Sequence, residues 1–157
     1  MKNQSSISSV RRWRKRLNLD IGCGYLNREK GAIGLDLDAA CKPDIQGDIQ
    51  DLPFKDESFD VVNAVHVLEH VSNIVKTFNE VWRVLKPNGE FNVRVPLFPT
   101  LGSICDPTHV RFFIPDSFGY FCEKDWLTGL KHTFKMKDIF ETELSLNTKE
   151  IVCQMIK

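Results

Sequence analysis

Short apolar segments that end in Gly or Asp make up the first part of the chain. The segments at 17–21, 32–35, 44–47 and 59–65 have the length and composition of buried strands, and the last of them has the strongest β-propensity. Only nine residues, 22–30, separate the first two segments, whereas a crossover between parallel strands usually takes about a dozen. We therefore expect a stub or a stretched loop at this crossover.

A helical pattern follows the fourth of these segments. Apolar residues between 74 and 85 recur at helical spacing. Ser72 or Asn73 can serve as the N-cap, and the breaker residues Lys-Pro-Asn-Gly at 86–89 end the pattern. This segment is predicted to be a helix.

The remainder of the chain is predicted to contain three more strands. Positions 91–95 alternate between apolar and polar residues, and Pro96 ends that strand. A loop and a short aromatic helix come next, and two strand-like segments lie near 134–144 and 150–156. Strands that alternate with helices predict an α/β fold in which a mostly parallel sheet is covered on both faces.

Several chemically informative residues directly follow predicted strands. In parallel sheets of this kind, ligands bind beyond the carboxyl ends of the strands. Residues 20–24, Asp36, Asp48 and the pair at 65–66 all occupy such ends. We therefore expect these four places to converge along one edge of the sheet.

Gly22, Gly24 and Asp36 together predict a nucleoside site. Glycines after a strand permit a tight turn and a close approach of a ligand to the backbone, although such a pair is often structural only. An acidic side chain at the end of the next strand can accept hydrogen bonds from both hydroxyls of a ribose. Asp36 fits this role, and Asp38 is the second candidate. The alternative is that either aspartate only stabilises a turn or caps a helix.

Six motifs in a fixed order resemble the class I S-adenosylmethionine-dependent methyltransferases over residues 17–96. They are Asp-Ile-Gly-Cys-Gly at 20–24, Gly-Leu-Asp-Leu-Asp at 34–38, Gly-Asp-Ile-Gln-Asp-Leu-Pro-Phe at 47–54, Phe-Asp-Val-Val at 59–62, Val-Leu-Glu-His at 67–70 and Leu-Lys-Pro-Asn-Gly at 85–89. The later Asp-Pro-Thr-His-Val-Arg-Phe-Phe at 106–113 resembles a small-molecule branch of the same family. The resemblance implies a Rossmann-like, doubly wound, seven-stranded sheet with an antiparallel edge strand.

The resemblance also implies a cofactor, S-adenosyl-L-methionine, and a set of residues around it. The backbone of Gly22 to Gly24 would approach the methionine part, with Asp20 behind its amino group, and Asp36 would hold the ribose. The expected cofactor-binding residues are Asp20, Gly22, Cys23, Gly24, Asp36, Leu37, Asp48, Ile49, Val65 and His66. Within this set, Asp48 and Ile49 would face adenine, and Val65 and His66 would open toward the substrate.

A nicotinamide cofactor is disfavoured by the same segment. The dinucleotide fingerprint needs a third glycine, a full helix and an acidic residue about 20 positions further on. Here Asn27 replaces the last glycine, and Asp36 lies only 12 positions after Gly24. The chain is also too short for a second nucleotide-binding half.

Residues 66–70 match HxxEH, a pattern that zinc hydrolases use to place two imidazoles on one helical face. The β-prone segment before it places His66 at a strand exit and His70 at the entry to the next segment. Their side chains therefore need not converge, and no second motif in the sequence indicates a third zinc ligand. We expect no metal, and a zinc hydrolase is the third-ranked hypothesis.

A loop after the fifth strand predicts the substrate side of the site. His109 is the expected catalytic base, and Asp106 and Arg111 are the expected substrate residues, beside a group of aromatic residues. The alternative is that the aromatic residues are core and that His109 only supports the loop. A sulfonium methyl group is already activated, so some acceptors need no base.

Composition and charge bound these interpretations. Lys plus Arg and Asp plus Glu both number 21, which gives no field that favours nucleic acid or an anionic membrane. The five widely spaced cysteines contain no CxxC motif and are expected to be reduced thiols. With no apolar span or signal-peptide pattern, the predicted location is cytoplasmic. We expect residues 1–16 to be a flexible basic N-terminal arm and residues 17–157 to be one domain.

The sequence thus predicts methyl transfer from S-adenosylmethionine, by direct displacement, to a small polar acceptor. The expected partner is a small molecule, with no nucleic acid, no membrane and no obligatory protein partner. The first alternative is a non-catalytic or regulatory domain that binds the same cofactor.

Overall fold

The protein is described from a computed structural model, which covers residues 15–25, 28–122, 129–145 and 147–157. The predicted basic arm at 1–16 lies outside the described residues except for Lys15 and Arg16. Both of these side chains are exposed, and Arg16 pairs with Glu90 at 2.9 Å.

Seven strands form one sheet in the order β3-β2-β1-β4-β5-β7-β6. The strands are β1 (Asn18–Ile21), β2 (Ile33–Asp36), β3 (Ile45–Gln46), β4 (Phe59–Val65), β5 (Leu85–Pro96), β6 (Lys135–Ser145) and β7 (Thr148–Ile156). β1 to β5 pair in parallel, and β7 runs antiparallel between β5 and the outermost strand β6. The predicted seven-stranded, mostly parallel α/β sheet with an antiparallel strand at one edge is confirmed.

The predicted helix is α1 (Ile74–Val84), and the side chain of Asn73 caps it by accepting a hydrogen bond from the backbone N–H of Lys76 at 3.0 Å. β5 begins directly after α1, at Leu85, which pairs with Phe59 of β4, whereas the sequence placed Leu85 at the end of the helical pattern and predicted the strand at 91–95 only. Two single-turn helices follow, α2 (Leu101–Ile104) and α3 (Gly119–Cys122). In the part of the chain that the structure describes, none of the helices is long and apolar enough to cross a bilayer.

The core lies between α1 and one face of the sheet. Phe78 of α1 is fully buried and stacks on Phe121 with ring centroids 3.6 Å apart, and it meets Phe91 and Phe134 edge-on. Val62, Phe91 and Met155 come into this core from neighbouring strands. Successive side chains of a strand point to opposite faces of the sheet, so every second residue of these strands faces α1 and joins the core.

The opposite face of the sheet carries a row of polar side chains. Asp20, Asn63, Asn92 and Gln154 are paired in register across four strands. Asn92 donates to Asn63 at 3.0 Å, and Gln154 donates to Asn92 at 2.8 Å. The described residues of the β1–β2 connection, 22–25 and 28–32, contain no helix, as the short crossover predicted, and a cavity of about 420 Å³ lies over this row.

One ion pair fixes the segment after β3 to α1. The guanidinium of Arg83 binds the Glu80 carboxylate and donates to the carbonyl oxygens of Leu52 and Phe54, and Glu80 accepts the backbone N–H of Leu52 at 2.9 Å. The hydrogen bond from Arg83 lowers the pKa of Glu80. Because the segment up to residue 52 also contains Asp48, this pair anchors part of the expected binding edge.

We predict that Glu80→Gln lowers the free energy of unfolding by about 1–2 kcal/mol at pH 7, because charge-assisted hydrogen bonds are lost. A carboxylate with a lowered folded-state pKa stabilises above its ordinary pKa, and that contribution is lost as the pH falls through the lowered value. The difference between variant and wild type should therefore shrink in acid. Urea unfolding at pH 7 and near pH 3 measures this, with the exposed Glu141→Gln as control. A pH-independent difference would contradict it.

Candidate functional site

The carboxyl ends of the central strands enclose a cavity of about 480 Å³. Seven of the ten expected cofactor residues line it, namely Gly22, Gly24, Asp36, Leu37, Asp48, Ile49 and His66. Five further lining residues were not predicted, namely Gln50, Val67, His70, Val71 and Ser72. The expectation that ligand-binding residues follow the carboxyl ends of the strands therefore identified seven of the twelve residues that line this cavity.

Gly22 gives the first turn its shape. Its φ of +65° lies in the left-handed region, and a Cβ built there would lie 2.3 Å from Cγ2 of Val67. The N–H groups of Gly22 and Cys23 both donate to the carbonyl oxygen of Leu35, at 2.8 and 3.1 Å. The loop after β1 is thus held between β2 and the loop after β4, and only glycine fits at this contact.

Asp36 is oriented by the backbone on both sides. Its Oδ2 accepts the N–H of Gly24 and its Oδ1 accepts the N–H of Asp38, each at 2.9 Å. Each carboxylate oxygen retains capacity for another donor, so Asp36 can accept two hydroxyls from the cavity. Asp38, the reserve candidate, instead caps a short 3₁₀ turn by accepting the N–H of Ala40 at 2.8 Å.

Gln50 ties the third strand end to the loop after β4. Its N–H donates to Asp48 Oδ1 at 2.8 Å, and its Oε1 accepts the Ser72 hydroxyl at 3.0 Å and the Asn73 N–H at 2.9 Å. The sequence offered one signal for Gln50 as a site residue, namely its position two residues after Asp48 in the segment that follows β3. Gln50 and Asp48 therefore form one polar wall of the cavity.

Three of the expected cofactor residues do not line this cavity. Asp20 and Val65 border the cavity over the polar row, on the other face of the sheet. Asp20 is buried, accepts the N–H of Glu29 at 2.9 Å, and has a pKa raised by burial. Cys23 is also buried, and burial raises the pKa of its thiol. Their cofactor roles stay predictions.

A second cavity of about 330 Å³ adjoins the first and shares two histidines with it, His66 and His70. The expected catalytic and substrate residues His109 and Asp106 line it, together with the buried Glu69. The expected cofactor side and substrate side thus meet at the shared histidines.

His66 lies between two buried glutamates. Its φ is +51°, its Nδ1 lies 3.5 Å from Glu69 Oε1, and its Nε2 lies 3.0 Å from Glu150 Oε2. The contact with Glu69 raises the pKa of His66 above its ordinary value, and Glu150 adds to this. The strand exit that the sequence predicted therefore turns His66 toward carboxylates.

His109 is held by its own loop. Its Nδ1 lies 2.9 Å from the carbonyl oxygen of Ser103, and therefore carries the proton it donates. Its Nε2 is 3.8 Å from Asp106 Oδ2 and 4.0 Å from Glu69 Oε1. The side chain is only 6% exposed, with the basic nitrogen on the cavity side.

Arg111 is bound to the backbone of the turn before α1. Its guanidinium donates to the carbonyl oxygens of Val71, at 2.5 and 3.1 Å, and of Ser72, at 3.1 Å. Burial lowers its pKa, and it lines neither of the two adjoining cavities. Arg111 therefore fixes the turn before α1, and its substrate role stays a prediction.

The HxxEH segment does not form the continuous helix of a zinc hydrolase. His66 follows β4, and His70 ends a 3₁₀ turn at Leu68–His70. His70 instead meets His109, with ring centroids 4.8 Å apart. The sequence suggested that the side chains of His66 and His70 need not converge, but both of them line the same two cavities.

Comparisons with known proteins point to one family. Residues 19–93 match the family described as a methyltransferase domain. An uncharacterized protein of Methanocaldococcus jannaschii is 38% identical over 91 residues, which cover 50% of this chain and 40% of that protein. The sterol 4-C-methyltransferase strm-1 of Caenorhabditis elegans is 43% identical over 49 residues, 31% of this chain and 15% of that protein.

The uncharacterized methyltransferase YcgJ of Bacillus subtilis is similar in sequence and in structure. It is 37% identical over 76 residues, which cover 42% of this chain and 30% of YcgJ. Its crystal structure superposes with a TM-score of 0.62 at 20% identity, over 91% of this chain and 92% of that one. The sequence matches to these three curated relatives each span less than half of the relative's length, whereas the structural superposition on YcgJ covers 92% of that chain and shows a similar fold.

We predict that Gly22→Ala destabilises the fold by more than about 3 kcal/mol, because its Cβ would overlap Val67 in an already strained backbone region. Gly24→Ala is the matched control, since Gly24 also has a positive φ but no heavy atom lies within 4 Å of the added Cβ. The control should lose only about 1–2 kcal/mol. Chemical denaturation of both variants measures the difference, and equal losses would show that the Val67 contact is not decisive.

Proposed function

We propose that this chain is a class I S-adenosylmethionine-dependent methyltransferase and that it transfers the cofactor's methyl group to a small polar acceptor. The larger cavity would hold the cofactor, and the adjoining cavity would hold the acceptor. The observation that carries this proposal is the junction of the two cavities at His66 and His70, beside the Gly22 turn and Asp36.

The described residues fit the cofactor by the chemistry of their donor set. Asp36 has carboxylate oxygens for the two ribose hydroxyls, and the backbone at Gly24 is open, with no heavy atom within 4 Å of a Cβ position. Ile49 and Leu37 provide apolar surface next to Asp48 for a flat base. This set supports the family's cofactor over a nucleotide that needs a phosphate site.

S-adenosylmethionine supplies a methyl group on a sulfonium, and its displacement by an acceptor lone pair leaves the C–S electron pair on sulfur as S-adenosylhomocysteine. The chain's task is to hold the acceptor in line and to exclude water. Where the acceptor is a hydroxyl or an amine, Nε2 of His109 accepts its proton, because Nδ1 already donates to Ser103. Asp106 would contact a polar group of the acceptor at the cavity's outer side.

The acceptor is proposed to be a small molecule because the second cavity is about 330 Å³, within the size range of small-molecule sites. The net charge of zero gives no support to a nucleic-acid partner. The cytoplasmic location expected from the sequence remains a prediction.

Calorimetric titration with S-adenosylhomocysteine, with NADH as control, tests the cofactor site. We expect one-to-one binding of S-adenosylhomocysteine alone, and a screen of small acceptors should then yield acceptor-dependent S-adenosylhomocysteine from S-adenosylmethionine. Absence of binding would overturn the proposal. Binding without turnover by any acceptor would favour the non-catalytic alternative.

We predict that Asp36→Ala weakens S-adenosylhomocysteine binding by about 1–3 kcal/mol, because the ribose hydroxyls lose a charged acceptor. Asp38→Ala is the matched control, since Asp38 caps a turn and does not line the cavity. The control should bind within about 0.5 kcal/mol of the wild type. Calorimetry measures both affinities. If Asp36→Ala bound S-adenosylhomocysteine as tightly as the wild type, Asp36 would not be a cofactor-binding residue.

We predict that His109→Gln lowers turnover by about 10²–10⁴-fold while leaving S-adenosylhomocysteine affinity unchanged. The control is His132→Gln, because His132 is exposed and stacks on Trp82 outside both cavities. Steady-state kinetics with an acceptor from the screen, together with calorimetry, separates the two effects. If His109→Gln lost S-adenosylhomocysteine affinity and turnover to the same extent, His109 would have a structural role only.

A further inference from the structure

Glu69 is a buried carboxylate whose side-chain oxygens accept no hydrogen bond from the described residues. Its side chain is 2% exposed, and Oε1 faces Nδ1 of His66 at 3.5 Å and Nε2 of His109 at 4.0 Å. Burying a carboxylate without hydrogen bonds is unfavourable unless a cation or a donor compensates it. The His66 imidazole compensates part of this charge, but neither Glu69 oxygen accepts a hydrogen bond from the described residues, so Glu69 can also bind a cation in the second cavity.

His109 presents a lone pair to the same place. Its Nδ1–H is committed to the Ser103 carbonyl at 2.9 Å, which leaves Nε2 as an acceptor. The groups that Nε2 faces are the carboxylates of Glu69 and Asp106, which are also acceptors. A lone pair that faces carboxylates is unfavourable, and a cation between them would reverse the sign of that interaction.

His70 is oriented in the same way. The hydroxyl of Thr108 donates to Asp106 Oδ1 at 2.6 Å, so the Thr108 oxygens can only accept from His70 Nδ1, which lies 3.0 Å from Oγ1 and 3.3 Å from the carbonyl. Nε2 of His70 is then its free lone pair. Histidines that bind metals usually donate their other ring N–H to an oxygen in this manner.

Glu69, His70 and His109 also lie close enough together to share an ion. One ligand atom from each lies within 4.8 Å of the others. Ligands of a tetrahedral zinc ion are about 3.4 Å apart for bonds of about 2.0–2.2 Å. Side-chain movements that shorten these distances by up to about 1.4 Å would bring the three ligand atoms to that spacing.

We propose that Glu69, His70 and His109 form a binding site for a divalent transition-metal ion of the Zn²⁺ type. Two imidazoles and one carboxylate are the ligand set of open, catalytic zinc sites and of non-haem iron sites. The set differs from the HxxEH pair, because His109 comes from a distant loop and His66 is not a ligand. It also departs from the absence of a metal expected from the sequence.

Three protein ligands leave at least one coordination position open toward the second cavity. This step rests on the proposed function: an oxygen of the acceptor would take that position, and the ion would lower the pKa of that oxygen. With the ion bound, Nε2 of His109 would hold the ion in place of accepting the acceptor's proton, and that proton would pass to solvent before the methyl group is transferred. The favoured acceptors are therefore molecules with an ionisable hydroxyl group.

Metal binding by the full chain tests the site without any acceptor. The chelator-stripped protein is titrated with ZnCl₂ by calorimetry, and with CoCl₂ while visible absorption is recorded. We expect one-to-one binding, Co²⁺ absorption bands of a site with nitrogen and oxygen ligands, and a rise in melting temperature with Zn²⁺. Glu69→Gln and His109→Gln should each bind at least about 100-fold more weakly, and the His132→Gln control should bind like the wild type.

No saturable binding below about 1 mM, or binding that Glu69→Gln and His109→Gln leave unchanged, would overturn the site. Because Glu69 is buried, far-UV circular dichroism of both variants confirms that they fold, and His109→Gln provides a second test at a ligand from another loop. Titration of the same protein with S-adenosylhomocysteine separates the two proposals. Cofactor binding without metal binding overturns the metal site alone, and metal binding without cofactor binding overturns the proposed function alone.

Discussion

The contact between Gly22 and Val67 is the constraint on which the site depends. It brings the loop after β1 against the loop after β4, so closely that a side chain at position 22 would overlap Val67. His66 and Glu69 lie on either side of Val67 in the chain, and their positions follow from this contact. Residues of this loop line both cavities, and His66 and His70 are common to the two.

Much of the fold follows from local patterns. The apolar segments that end in Gly or Asp became β1, β2, β3 and β4, and helical spacing with the Asn73 cap became α1. Gly22, Asp36 and Asp48 were expected to lie close together because parallel strands end at one edge of the sheet, and all three line one cavity. These features depend on residues near one another in the chain, which is why sequence reasoning reaches them.

The features that sequence reasoning missed depend on partners far away in the chain. Arg111 binds the carbonyl oxygens of Val71 and Ser72, and backbone acceptors leave no signature in a sequence. Glu69 was read as part of a family motif, and its lack of a hydrogen bond emerges only once the loop that carries His109 packs over it. Asp20 lines the cavity over the polar row and does not line the larger cavity, a difference between neighbouring cavities that the strand-end position alone does not reveal.

The row of polar side chains on the face of the sheet opposite α1 affects how the strands align with one another. Side chains alternate along a strand, so a slip of one residue between β4 and β5 would move Asn63 or Asn92 onto the face that packs against α1. There the amide would be buried among phenylalanines with no donor or acceptor to meet it. The hydrogen-bonded amides from Asn63 to Gln154 therefore favour one alignment of β4, β5 and β7 over the alignments that are shifted by one residue.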